Sequence, residues 1–285
     1  MRFFIFFAHL LAVCFLVGCQ GMAQVISPAS QNISLHTTGR IIDTRTQRQI
    51  SVTELLNALG QYQYILLGEE HDNALHHQIE TALIKQLEQQ RPLSAVVIEM
   101  MDVGQQALIS QTQKELHTCC QYSPSQIRQK LHWAKWDWSQ YQDFIVSRMN
   151  SNTPLLGANL TEPEIQTLMQ GAQPLQGNLS IRPSVQQKIA QLVQSHHTID
   201  ANLLAKRVQI QQFRDRRMAE TLQKQTALSV LVAGNHHVQK DIGVPLHLAD
   251  YAQQQQKPLP NVTIMLKSAV ENTNVSQADY VWITN

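Results

Sequence analysis

Short, almost uniformly apolar segments alternate with helical segments along most of this chain, and this alternation limits the fold more than any other feature. The apolar segments read YILLG at 64–68, LSAVVIEM at 93–100, TPLLGANL at 153–160, LSVLVAGN at 228–235, VTIMLK at 262–267 and DYVWIT at 279–284. Strands that are apolar on both faces belong to a sheet that is covered by helices on both sides. We therefore predict an α/β fold with a mostly parallel central sheet flanked by helices.

Two local patterns precede these strands. The segments GRIID at 39–43 and RQIS at 48–51 surround the polar TRTQ, which predicts a β-hairpin. Ser51 and Glu54 then have the spacing of a capping box, and we expect the helix that follows to end at Gly60.

The first residues predict a targeting segment that is not part of the fold. Arg2 is followed by an apolar run from Phe3 to Val17 and then by Gly18 and Cys19. The run is shorter than the roughly 20 residues that a bilayer-spanning helix needs. The ending LVGC resembles the lipobox of bacterial lipoproteins, which implies cleavage before Cys19 and acylation of its thiol. An ordinary signal peptide or a short membrane anchor is the alternative.

The predicted domain organisation follows from this leader. We expect a signal peptide at 1–18, a lipidated N-terminus and tether at 19–37, and one α/β domain at 38–285. Because residue 20 is Gln and not Asp, the lipobox resemblance favours attachment to the outer membrane.

Charge and cysteine content exclude some classes of protein. The 22 basic and 21 acidic side chains give a net charge of +1, so nucleic acid is not an expected partner. With Cys14 in the signal peptide and Cys19 at the lipidation site, Cys119 and Cys120 remain, and they either close a vicinal disulfide or stay as thiols.

Polar side chains follow four of the predicted strands at the point where each strand ends. In open α/β sheets, ligands bind beyond the carboxyl ends of the strands. The residues at these ends are Glu69, Glu70 and His71, then Glu99, then Asn159, and finally Asn235, His236 and His237. We expect them to converge at one edge of the sheet, with Asn159 and Asn235 supporting the site.

The spacing Gly-x-x-His occurs at two of these strand ends, as GEEH at 68–71 and GNHH at 234–237. A glycine at the strand end permits a tight turn, after which the histidine points back over the sheet edge. Imidazole with nearby carboxylate suits Zn, Mn, Co or Fe, and the alternative is a buried hydrogen-bonded network that ties loops together. The set predicted to hold a divalent metal ion is His71, His237, Glu69 and Glu99.

The neighbouring pair His76 and His77 has a weaker claim. The apolar face of the helix predicted from about Asn73 to Gln90 places His76 at its flank, as a weak candidate for contact with the site. His77 lies further round, and we expect it to be exposed to solvent.

A second polar intrusion lies on the long helix LLAKRVQIQQFRDRRMAETL at 203–222. Gln211 and Asp215 fall in the middle of its apolar stripe, with Arg214 at the edge. An unpaired buried carboxylate is costly, so Asp215 must have a partner, which is an arginine, a histidine or a ligand.

The region from Val103 to Ser151 reads as a helical insert that contains the aromatic segment HWAKWDWSQY at 132–141. On a helix, Ala134, Trp138, Tyr141 and Ile145 share one face. The segment is either an aromatic plug against the core or a wall for a flat apolar ligand, with His132 or Tyr141 as a polar contact.

Taken in order, LLGEEHDN, VVIEM, the Trp-rich helix, LLGANL, QQFRDRRMAETL and VLVAGNHHVQKDIGVPLHL are similar to the ChaN family, the haem-binding uptake lipoproteins of the Tiki superfamily. The resemblance covers the chain from about Thr38. It implies an α/β fold, lipid attachment to the outer membrane, haem as the ligand, a homodimer around haem, and a haem-uptake receptor or transporter as partner.

Two functions follow, of which the first is our leading hypothesis. It is a haem-binding outer-membrane lipoprotein of an iron-acquisition system. The alternative is a metal-dependent hydrolase or peptidase of the Tiki type, in which Glu69 or Glu99 is the general base. The predicted haem contacts are His71, His237, Tyr141, His132 and Arg214, supported by Gln211 and Asp215.

Overall fold

The computed structural model describes residues 33–196, 200–269 and 274–284. The predicted signal peptide, the lipidation site Cys19 and most of the predicted tether lie outside the described residues. Where the description begins, the chain already belongs to the fold, because Leu35 is 2% exposed and packs into the core.

One mixed sheet contains the eight strands of the described residues. The strands are β1 Gly39–Asp43, β2 Arg48–Ile50, β3 Tyr64–Glu69, β4 Ala95–Asp102, β5 Leu155–Asn159, β6 Ser229–Gly234, β7 Asn261–Lys267 and β8 Tyr280–Thr284. Their order across the sheet is β2-β1-β8-β7-β3-β6-β4-β5. All neighbours from β8 to β5 are parallel, whereas β1 pairs antiparallel with β2 and β8. The predicted fold class is confirmed.

Ten α-helices of the described residues connect and cover these strands. They are α1 Val52–Leu59, α2 Ala74–Gln90, α3 Gln106–Thr118, α4 Pro124–Lys130, α5 Trp138–Met149, α6 Glu162–Gly171, α7 Pro183–His196, α8 Ala201–Gln223, α9 Asn235–Val238 and α10 Val244–Gln255. Within the described residues, no helix combines the length and the apolar character that a membrane span requires.

The local signals at the start of the domain act as predicted. The hairpin forms between β1 and β2, and Ser51 caps α1 by accepting a hydrogen bond from the Glu54 backbone N–H at 3.1 Å. The Glu54 carboxylate accepts in return from the Ser51 backbone N–H at 2.7 Å, which completes the capping box. Helix α1 ends at Leu59, directly before Gly60.

The sheet is buried on both faces because alternate residues of each strand point to opposite sides. In β3, Ile65 and Leu67 pack into the core cluster formed with α1, α2 and the insert helices. Leu66, between them, packs on the other face with Met218 of α8 and Leu248 of α10. This two-sided burial explains why the strand sequences are apolar throughout.

The insert between β4 and β5 is helical, as predicted, but its aromatic segment is not one continuous helix. Helix α5 begins at Trp138, where Asp137 caps it. Ala134 therefore does not share a helix face with Tyr141 and Ile145, and it is exposed. The expected face is wrong at this residue because the chain turns between α4 and α5, with His132 in a left-handed conformation at φ 51°.

Cys119 and Cys120 are joined by a vicinal disulfide at the end of α3. Of the two alternatives that the sequence left open, the structure has the bonded form.

Candidate functional site

The four strands with polar ends are consecutive in the sheet, in the order β3, β6, β4 and β5. Glu69 of β3 lies in register with Gly234 of β6. The two Gly-x-x-His motifs therefore leave adjacent parallel strands at the same edge, and Glu99 of β4 reaches the same place.

The first motif places His71 against the backbone of the second. A methyl group on Gly234 would lie 2.6 Å from His71 Nε2, so the imidazole occupies the space that the missing side chain leaves. His71 Nδ1 lies 2.7 Å from Glu69 Oε1 and 3.0 Å from the Tyr141 hydroxyl, which donates to the same carboxylate oxygen at 2.6 Å. The Trp136 ring packs 4.5 Å from the imidazole. The side chain of His71 remains 35% exposed.

The second motif buries His237 between two carboxyl groups. Nδ1 lies 2.5 Å from Asp215 Oδ1 on α8, and Nε2 lies 3.2 Å from Glu99 Oε1 on β4. The prediction that Asp215 needs a partner is confirmed, and the partner is a histidine. Only 8% of the His237 side chain is exposed, and both of its ring nitrogens face carboxyl groups.

Glu99 connects the two motifs. Its Oε2 accepts a hydrogen bond from the Gly234 backbone N–H at 2.9 Å and lies 3.9 Å from His71 Nε2. Asn159 on β5 donates to the Glu99 carbonyl at 3.0 Å. Acidic and imidazole groups thus alternate along the sheet edge, from Asp215 to Glu69.

The electrostatics of this row depend on burial and on pairing. Burial acts to lower the pKa of His237, but Glu99 and Asp215 raise it to about 10. For Glu99, burial acts to raise the pKa, but the charge and hydrogen bond of His237 together with His71 lower it to about 2. Burial raises the pKa of Asp215 to about 6, against the opposing effect of His237. His237 is therefore a buried cation at neutral pH.

On the other side of Glu69 lie His77 and Glu80, both buried. The expectation that His77 is exposed is wrong, because Tyr141 from the insert packs over it with ring centroids 4.2 Å apart. Burial opposes protonation of His77, but hydrogen bonds with Glu69 and Glu80 raise its pKa to about 10. Burial and the charge of Glu69 raise the pKa of Glu80 well above its usual range.

His76 ties the loop to the sheet. It is fully buried, its Nδ1 accepts from the Glu70 backbone N–H at 3.0 Å, and its Nε2 lies 3.2 Å from the Thr284 hydroxyl. Burial lowers its pKa to about 4, so the ring is neutral at pH 7.

One group of three or more metal-ligating side chains in the described ranges has ligand atoms that all lie within 4.8 Å of one another. The group consists of Glu69, His77 and Glu80. Of the four residues predicted to bind a metal ion, it includes Glu69 alone, and His71, His237 and Glu99 lie outside it.

A cavity of about 410 Å³ adjoins the second motif. Its size lies within the range of small-molecule and cofactor pockets. It is lined by apolar side chains together with a few polar ones, which are Ile165, Met169, Ile189, Leu192, Val193, Arg207, Ile210, Gln211, Arg214, Asp215, His236, His237 and Ile242.

Helix α8 supplies one wall of this cavity. Arg207, Gln211 and Arg214 follow the spacing of one helix face, so both guanidinium groups border the same space. Arg214 donates to the Gln211 side-chain oxygen at 3.0 Å. Helices α6 and α7 supply the apolar wall.

Arg207 was not predicted as a site residue, and His236 was predicted at the sheet edge but not among the haem contacts. The signal was available for Arg207, because it stands seven residues before Arg214 and thus on the same helix face. For His236, the signal was its position beside His237 in the single turn α9, where neighbouring side chains point in different directions.

Three predicted haem contacts do not line this cavity. His71 sits at the sheet edge, and Tyr141 is 1% exposed with its hydroxyl committed to Glu69. His132 borders a second, smaller cavity of about 230 Å³ together with Trp136 and Asn159. Asn235 supports the turn instead, by donating to the Leu266 carbonyl at 2.8 Å.

Comparison with known proteins agrees with the motif order. The profile of the family described as haem-binding uptake, Tiki superfamily, ChaN matches residues 55–248. The structure of ChaN of Campylobacter jejuni, which shows cofacial haem binding, is 32% identical, covers 87% of this chain and 97% of its own, and superposes with a TM-score of 0.78. No curated protein matches the chain.

A toxin effector domain from Vibrio vulnificus is 18% identical, with 82% of this chain and 39% of that chain covered and a TM-score of 0.43. A Bacillus cereus protein is 12% identical, with 76% and 68% covered and a TM-score of 0.39. The family profile and the Campylobacter structure confirm the resemblance that the motifs indicated, and the chain belongs to the ChaN family of the Tiki superfamily.

Proposed function

We propose that this protein binds haem in the cavity beside the second Gly-x-x-His motif. The observation that carries the proposal is the combination found in one cavity: seven apolar side chains, two arginines and two histidines. A flat macrocycle with two carboxylates needs apolar walls, cationic partners for its propionates and an axial ligand for its iron.

The lining residues fit these needs in distinct ways. Arg207 and Arg214 are the cations for the propionates, because guanidinium pairs with carboxylate through two parallel hydrogen bonds. His236 is the axial ligand in this proposal, because its side chain lines the cavity. The bound haem would serve as an iron source.

The hydrolase alternative has less support. His71 and His237 do not belong to the group of side chains whose ligand atoms lie within 4.8 Å of one another. The family match supports haem binding instead.

The location and partners belong to the same proposal. We infer an outer-membrane lipoprotein, acylated at Cys19, that takes part in iron acquisition and passes haem to or from an uptake receptor or transporter. Two copies would meet around haem, since the related Campylobacter protein binds haem cofacially.

A hemin titration of the purified chain from residue 20 onward tests haem binding. We expect a shifted Soret band that saturates at one hemin per chain. The absence of saturable binding would overturn the proposal. Sedimentation velocity at the end of the titration should show dimers. A monomer at saturation would contradict the proposed dimer but not haem binding.

Metabolic labelling with radioactive palmitate tests the lipid anchor. The full-length chain should incorporate label, whereas Cys19→Ala should not. Fractionation should then find the label in outer-membrane vesicles, and label in the inner membrane would contradict the sorting proposal while leaving haem binding untouched.

A further inference from the structure

The cluster on the far side of Glu69 is not used by the haem proposal, and its three members come from two elements. Glu69 ends β3, while His77 and Glu80 lie one turn apart on α2. Glu69 Oε2 lies 2.9 Å from His77 Nδ1, which lies 3.3 Å from Glu80 Oε2. None of the three residues is more than 3% exposed.

The hydrogen bonds of this cluster are incomplete. Glu80 Oε1 is buried and has no hydrogen-bond partner, and Glu69 Oε2 faces His77 Nδ1 at 2.9 Å. The other oxygen of Glu69 is already engaged by His71 and Tyr141. An unsatisfied carboxylate oxygen in the protein interior is costly, so a further positive group is expected here.

The orientation of His77 indicates what that group is. Its Nε2 lies 3.2 Å from the backbone carbonyl of His71, which can only accept a hydrogen bond, so Nε2 carries a proton. Nδ1 then faces both carboxylates. A histidine that binds a metal ion usually donates the N–H of its other ring nitrogen to a backbone carbonyl or a carboxylate, as Nε2 does here, and this leaves Nδ1 for the ion.

We propose that Glu69, His77 and Glu80 bind a divalent transition-metal ion. One imidazole nitrogen and two carboxylate oxygens suit Zn²⁺, Mn²⁺ or Fe²⁺, and three protein ligands leave a coordination position for water. The ion joins α2 to β3 and holds Glu69, which in turn positions His71 and Tyr141. The site is separate from the haem cavity, because none of its ligands lines that cavity.

Isothermal titration of chelator-stripped protein with Zn²⁺ tests the site. We expect one zinc ion per chain, and Glu80→Gln should weaken binding by at least about 100-fold because a direct ligand is lost. The matched variant is Glu99→Gln, which alters an equally buried carboxylate between His71 and His237. It should change the affinity by about threefold or less.

Two results of the titration would overturn the proposal. One is that the unaltered protein shows no stoichiometric zinc binding. The other is that Glu99→Gln loses zinc binding while Glu80→Gln binds zinc as tightly as the unaltered protein. X-ray absorption at the zinc edge gives an answer that does not depend on the folding of any variant. A signal from one imidazole is expected, and two imidazoles would place the ion between the Gly-x-x-His motifs instead.

Discussion

The two Gly-x-x-His motifs have the same spacing, leave adjacent parallel strands and share Glu99, yet they place their histidines in different surroundings. His71 keeps 35% of its side chain exposed and rests against a glycine, whereas His237 is 8% exposed between Asp215 and Glu99. The first is held by the insert through Tyr141, and the second by the long helix α8.

The motif therefore determines the position of each histidine, and the helices packed around it determine its contacts and its exposure. The cavity adjoins the second motif because α6, α7 and α8 surround it there. Beside the first motif, the Trp136 ring packs against His71 and Tyr141.

The largest difference in the free energy of unfolding is expected when the interactions of each histidine are removed. Asp215→Ala should lower the free energy of unfolding by about 3 kcal/mol or more, because the buried His237 cation loses one of its two carboxylates. His71→Ala should cost about 1 kcal/mol, since it removes hydrogen bonds at a half-exposed ring. Urea unfolding at pH 7 measures both, and equal losses would contradict the distinction.

The glycines of the two motifs offer a second contrast. In Gly68→Ala the new methyl group would lie 2.4 Å from Val238 and 2.5 Å from Asn235, which belong to a packed turn, so we expect a loss of about 2–3 kcal/mol. In Gly234→Ala the nearest atoms all belong to the His71 ring, which can shift, so a loss of about 1 kcal/mol is expected. Thermal unfolding of both variants measures which one loses more stability. A larger loss in Gly234→Ala would mean that the His71 ring is held rigidly.

The stability contributions of His237 and His71 should also differ in how they change at alkaline pH. The pKa of His237 is raised from 6.5 to about 10, so its contribution to stability is complete below pH 6.5 and is lost as the pH rises toward 10. We expect the contribution of His237 to the unfolding free energy to fall by about 2 kcal/mol between pH 7 and pH 9. His237→Gln should flatten this fall, and His71→Gln should flatten it less. An unchanged profile in His237→Gln would show that the ring is not a buried cation.

A smaller effect is expected at the cavity wall. Arg214→Met should weaken hemin binding by about tenfold, which corresponds to about 1.4 kcal/mol, through the loss of a propionate partner. Arg40→Met, on an exposed position of β1, is the control and should leave the affinity unchanged. Fluorescence quenching by hemin measures both dissociation constants.

Much of the fold was predictable because its signals are local. The Ser51 capping box and the apolar strands depend on neighbouring residues only, and the convergence of Glu69, Glu99 and Gly234 follows from parallel strands that end at one edge. The order of strands places β3, β6 and β4 side by side, which makes that edge a site.

The remaining features depend on contacts between distant parts of the chain. His77 is buried because Tyr141, 64 positions later in the sequence, covers it. The sequence pattern of α2 alone cannot predict this contact. The cavity combines single faces of α6, α7 and α8, each of which reads separately as an ordinary amphipathic helix. The helix spacing of Arg207 and Arg214 could be read from the sequence, but the cavity that both residues line exists only where the three helices meet.

We propose that haem binds beside the second motif and not over the first. The most direct test of this proposal is the Soret titration of His236→Ala and His71→Ala, measured side by side with the unaltered protein. We expect His236→Ala to lose the shifted Soret band of the complex, while His71→Ala keeps both the band and the stoichiometry. Loss of the band in His71→Ala with retention in His236→Ala would contradict haem binding beside the second motif.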